Sequence, residues 1–230
     1  MSLGLEVGIL ADQKQYDHEG FQAYRQQFDA INHCLASIDL PIHEEPVECA
    51  ISSWEMLNGI SSLYYARRLA AYLELEGKLP TCGNDDAIRD PMLNQYYIRA
   101  GHPNGFNPYS PPVYNHLHGS FDHLILHADN EGFYLPLKFD QVIYTPEELG
   151  IWGGVLGSSY QLLRECQKIA SVLEIPSNIT DVSEELWAAG DSQGEGSMKW
   201  ERYGVESNAC VTLIYACRTS IDAGASMVFG

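Results

Sequence analysis

The sequence predicts an α+β fold, mainly helical, built as a single globular domain over residues 1–230 with short strands. Three observations point there. Four segments place apolar residues at helical spacing on one face, whereas the alternating apolar segments are short and scattered. Hydrophobic residues make up 45% of the 230 positions and charged residues 19%, enough to bury a core without staples. There is no internal repeat and no low-complexity tract.

Leu3, Leu5, Val7 and Ile9 alternate and predict a strand over 3–10. Phe21, Tyr24, Phe28, Ile31, Leu35 and Ile38 then step by three and four, so one face of a helix over 18–38 is apolar. Asp17 is placed to cap it and Pro41 lies beyond it. Val47, Cys49 and Ile51 alternate as a short strand. Leu63, Ala66, Ala70 and Leu73 line a helix over 59–76, which Gly77 and Pro80 end. On that helix Arg67 and Arg68 read as a solvated face. Residues 80–112 form a long loop rich in Gly, Pro and aromatic residues, with one short helix over 86–98. Phe133, Leu135 and Leu137 alternate again, and Pro136, which has no N–H to donate, predicts an edge position. Leu162, Cys166, Ile169 and Leu173 predict a helix over 158–174 with Ser158 or Ser159 as cap. A short helix in "DVSEELWAAG", a polar loop, a helix over 205–223 and a strand in "ASMVFG" follow.

Acidic residues number 31 against 13 Lys and Arg, a formal net charge of −18. Such a field repels nucleic acid and anionic membrane surfaces and favours a basic partner. The expectation is therefore a basic protein partner, with no nucleic acid and no membrane. No apolar run approaches the roughly 20 residues of a membrane helix, and "MSLGLEVGIL" has neither the basic region nor the cleavage site of a secretion signal. The six cysteines form no C-x-x-C pair and four sit in apolar patterns, which fits reduced thiols in the cytoplasm.

The stretch Tyr114–Gly132 holds His116, His118, His123 and His127, four of the eight histidines, among Asp122, Asp129 and Glu131. Two local structures compete. Ser110-Pro111-Pro112 is a helix start, and Tyr114, Leu117, Phe121, Leu124 and Ala128 give a helical stripe that puts His116, His123 and His127 on one face. A strand instead aligns Phe121, His123, Ile125 and His127. The helix over 114–128 is the preferred reading. His123, His127 and Asp129 are the candidate ligands for a divalent metal, but the glutamate of a His-Glu-x-x-His site is missing, because Leu124 stands there. The alternative is structural: a turn at Asp129-Asn130-Glu131-Gly132, braced by His127 and Asp129 and closed by a positive φ at Gly132. On that reading His116 and His118 are the more exposed histidines.

"LILHADNEGFYLP" (124–136) resembles an L-x-x-H-S-D-x-x-G-x-x-x-P segment of bacterial and phage-encoded proteins without assigned function, and the resemblance extends over about residues 58–230. It implies no chemistry. Its matching positions are His127, Asp129, Gly132 and Pro136; the first three are the candidate binding residues. Ala128 replaces the usual serine, which removes a hydroxyl role there.

No catalytic residue is assigned. "GGVLGSS" lacks the P-loop lysine, and no serine sits in G-x-S-x-G. The leading expectation is an acidic cytoplasmic interaction protein, an inhibitor or immunity-type binder of a basic partner that needs no cofactor. The alternative is a metal-dependent hydrolase using the 116–131 His/Asp cluster, in which the metal would activate water. A third reading is a small ligand bound by the aromatic loop 96–114.

Overall fold

The structure is a computed structural model that describes residues 3–57, 59–82, 86–114 and 118–230. Within them a six-stranded mixed sheet carries helices on both faces, so the α+β expectation holds. The strands are β1 (Gly4–Val7), β2 (Ser52–Glu55), β3 (Phe133–Leu135), β4 (Ile143–Tyr144), β5 (Val155–Ser158) and β6 (Met227–Phe229), in the order β2-β1-β6-β3-β5-β4. Only β3 and β5 pair in parallel. Because side chains alternate across a sheet, Leu5, Val7, Tyr134, Met227 and Phe229 enter one core, and Phe133, Leu135, Leu156 and Val228 enter the other.

The smaller core lies under α1 (Ile9–Tyr16) and α2 (His18–Ser37). Gly8 makes the turn from β1 into α1. Its φ is 92°, and a Cβ there would lie 2.9 Å from the carbonyl oxygen of Ala50. Ile9 and Leu10 thus begin a helix instead of continuing the expected strand. Asp17 accepts from the amide of Glu19 and caps α2. Phe28, Ile31 and Leu35 are buried as the spacing predicts, but Ile38 is 47% exposed just past the helix end.

The larger core is packed by α3 (Ile60–Glu76), α4 (Pro91–Arg99), the single turn α5 (Asp122–Ile125), α6 (Ser159–Leu173), α7 (Glu184–Asp191), the short α8 (Lys199–Arg202) and α9 (Gly204–Ala223). Ser158 caps α6 by accepting from the amide of Gln161. All six cysteines are free thiols.

Four expectations need correction. The strand near 47–51 forms instead at Ser52–Glu55, where the chain reaches β1; Val47 and Ile51 are left exposed. β3 is interior, between β6 and β5, because it ends at Leu135 and Pro136 costs no ladder bond. Helix 86–98 is split: Ala87–Arg89 is a 3-10 turn, and α4 starts at Pro91 with Asp90 as cap. The helix over 114–128 is reduced to α5. Gly119 sits so close to Tyr96 that a Cβ would meet its hydroxyl at 2.0 Å, and the chain passes there without helical hydrogen bonds. His116 and Leu117 lie outside the described residues.

Candidate functional site

The histidine segment is held at both ends by buried ionisable groups. At the start of α5 the carboxyl group of Glu165 accepts from the amides of His123 (3.1 Å) and Leu124 (2.7 Å). At its end the guanidinium of Arg67 donates to the carbonyls of Leu124 (2.8 Å), His127 (2.7 Å) and Ala128 (3.1 Å). A carboxyl group thus meets the free amides of the turn and a guanidinium meets its free carbonyls. Burial, with the nearby charge of Asp122, holds the Glu165 carboxyl well above the usual carboxylate range, against the downward pull of the two amides and Lys168. Arg67 is 1% exposed, so the expectation of a solvated Arg67-Arg68 face is wrong. Arg68, also buried, donates to the carbonyl of Thr81.

Both candidate ligand histidines are occupied by backbone. His123 accepts at Nδ1 from the amide of Ser158 (2.9 Å), which leaves the proton on Nε2 facing the carbonyl of Asp140 (3.3 Å). The His127 ring nitrogens face the carbonyls of Ala128 and Phe133, each at 3.1 Å. The ring stacks on Tyr134 with centroids 4.0 Å apart. Burial drives both histidines down to about 4, against the weaker pull of their carbonyl partners, so both rings are neutral near pH 7. Asp129 accepts from the Tyr64 hydroxyl (2.7 Å), and Glu131 from the Tyr109 hydroxyl (2.5 Å). Gly132 has φ 105°, and a Cβ there would lie 3.1 Å from Cε1 of His127. His123, His127 and Asp129 are therefore near one another in the chain but point at different partners. Among the described residues no group of three His, Cys, Asp or Glu side chains is arranged to hold a metal ion. The His118 side chain is 48% exposed and lies 3.8 Å from Asp122. Chemically the segment is a braced turn, in which the neutral His127 ring, with one N–H, donates to one of its two facing carbonyls.

The surface is a different matter. Residues 26–66 contain Asp29, Asp39, Glu44, Glu45, Glu48 and Glu55 and no Lys or Arg. Residues 139–163 contain Asp140, Glu147 and Glu148, and 169–198 contain Glu174, Asp181, Glu184, Glu185, Asp191 and Glu195, again without Lys or Arg. Most of these carboxylates are exposed. Most of the cations are drawn inward, paired or laid over rings, with Arg164 exposed beside Gln161. Arg67 and Arg68 are buried; Lys14, Lys78 and Lys199 pair with Glu48, Glu76 and Glu174. Arg25, Lys138, Lys168 and Arg218 lie over aromatic rings.

A family described as "Putative DNA-mimic protein" matches residues 1–229. The chain belongs to this family. No curated protein and no solved structure matches it. Membership in a DNA-mimic family ties the acidic surface to protein interaction, and it corrects one expectation. Nucleic acid was left out of the account of partners because the charge repels it; the family description brings DNA back as the thing imitated. Among the described residues no helix is long and apolar enough to cross a membrane.

Proposed function

We propose that this protein displays carboxylates in place of DNA phosphates and binds the DNA-contacting face of a basic protein, inhibiting it by occupying that face. The observation that carries the reading is the separation of charge described above: a net −18 in which long cation-free segments reach the surface while most arginines and lysines are buried, paired or laid on rings. A DNA-binding protein gains most of its non-specific affinity from phosphates, so a dense array of surface carboxylates competes for the same cations. His127, Asp129 and Gly132 serve this reading indirectly, by keeping the turn between α5 and β3 in one shape. Six free thiols fit a reducing compartment such as the cytoplasm. The hydrolase alternative finds no support, because backbone groups already occupy the nitrogens of His123 and His127.

The test is displacement of DNA. A helix-turn-helix repressor, a minor-groove bending protein and a histone octamer are each loaded with a fluorescent duplex at about 50 mM salt, and the acidic protein is titrated in while anisotropy is read. Release of duplex from at least one of them, fading as salt rises to about 200 mM, supports the reading. Retention of the duplex by all three, or binding that leaves the duplex in place, overturns it.

A further inference from the structure

The carboxylate-rich surfaces are not equivalent. Beside the end of α2, Ile38 and Leu40 face Phe139, Val142 and Ile143 across a groove of about 400 Å³. A second hollow of about 260 Å³ continues it past Leu40 and Phe139 to Pro41, Pro136 and Tyr160. Together they form an apolar trough. Exposed Asp140 lines the first hollow, and exposed Asp39 lies in the chain between the lining residues Ile38 and Leu40; both walls belong to segments without Lys or Arg except Lys138, which lines the second hollow and lies over the Tyr160 ring. The surface of α7 differs. The cavity beside it is lined by Ser61, Tyr65, Asp191, Ser192, Gln193, Glu195 and Val205, a hollow in which polar groups predominate.

Resting on the DNA-mimic reading, we infer that the trough between residues 38–41 and 136–143 is where the partner docks, and that its occupant is the arginine- and lysine-bearing DNA-contacting element of a basic protein. Long cationic side chains are amphipathic, with a methylene stem and a charged head. An apolar floor with exposed carboxylates alongside matches both parts: stems lie on Leu40 and Phe139, and heads reach Asp39 and Asp140. A surface that offered charge alone would hold the heads but leave the stems in water.

The experiment compares two double variants of equal net charge, Asp39→Asn/Asp140→Asn and Glu184→Gln/Glu185→Gln. Asp39 has φ 58°, a conformation asparagine tolerates, and melting curves check that both variants fold. The probe is the panel protein whose duplex the wild type releases. The trough pair is expected to weaken binding by about tenfold or more and the α7 pair by less than about twofold. Ile38→Ser, at a half-exposed floor position, is expected to weaken binding several-fold with no change of charge. If the α7 pair suffers the large loss, or both pairs lose equally, the trough is not the docking surface although the mimic reading survives. If the wild type releases no duplex from any panel protein, the mimic reading itself fails and the trough with it.

Discussion

Arg67→Met tests whether a buried guanidinium holds the histidine turn in place. Methionine keeps most of the stem volume and removes every donor. Three carbonyls, on Leu124, His127 and Ala128, then lose the guanidinium, although that of Ala128 still faces a His127 ring nitrogen, in a region where His127 and Leu124 are fully buried. A hydrogen bond from a charged donor contributes about 1.5–3 kcal/mol, and a buried acceptor left bare costs about 1–3 kcal/mol. Two of the three bonds share one nitrogen, Nη2, so the losses do not simply add. Relief from desolvating the charge offsets a further part. The expected loss is about 3–5 kcal/mol, which for a chain of this size lowers Tm by about 6–20 °C. Urea unfolding followed by circular dichroism measures it. Arg164→Met, at an exposed position of α6, is the control and stays within about 0.5 kcal/mol. An Arg67→Met variant within about 1 kcal/mol of wild type would show that the turn stands without the guanidinium.

Gly132→Ala places a Cβ at φ 105° against the His127 ring and is expected to cost about 1–3 kcal/mol in denaturant unfolding; an unchanged midpoint would remove the turn constraint. Phe28→Ala empties the smaller core, where the ring packs 5.5 Å from Phe133, and should cost about 3–5 kcal/mol, a loss under about 1 kcal/mol arguing that α2 is not seated on the sheet. His123 and His127 titrate near 4 when folded and near the ordinary 6.5 when unfolded, so their contribution is complete above pH 6.5 and is lost as pH falls through about 4, on the order of 3 kcal/mol per ring. An NMR titration with either midpoint above about 6 would refute their burial as neutral groups.

The helices were legible because apolar spacing and caps agree: Asp17, Gly77 and Ser158 end or begin α2, α3 and α6 as their chemistry suggests. Strands of two to four residues carry too little alternation to place, and β2 is displaced from its apolar neighbours for that reason. The histidine segment misled because Leu124, Ile125 and Leu126 are all buried in succession, a pattern of neither helix nor strand. The two residues that organise it were visible by position. Arg67 is four residues after Leu63 and three before Ala70; Glu165 is three after Leu162 and four before Ile169. Each lies on the apolar stripe of its helix, the face where a charged side chain is buried and needs a partner. The partners lie 57 and 42 residues away, a distance that spacing alone does not span. The charge sign was plain in the sequence, but the proposal that it imitates DNA rests on the family match.

The place of β6 in the sheet bears on how the chain acquires its shape during synthesis. Among the described residues, β6 is the last of the six strands in chain order, yet it alone links the β2-β1 ribbon to the β3-β5-β4 group. Until residues 227–229 emerge from the ribosome, β1 and β3 each present an open edge, and Leu5 waits for Phe229 across the whole chain. Such distant pairing slows assembly, and unpaired edges invite association between growing chains. A net charge of −18 makes growing chains repel one another, which opposes such association until the central strand is in place.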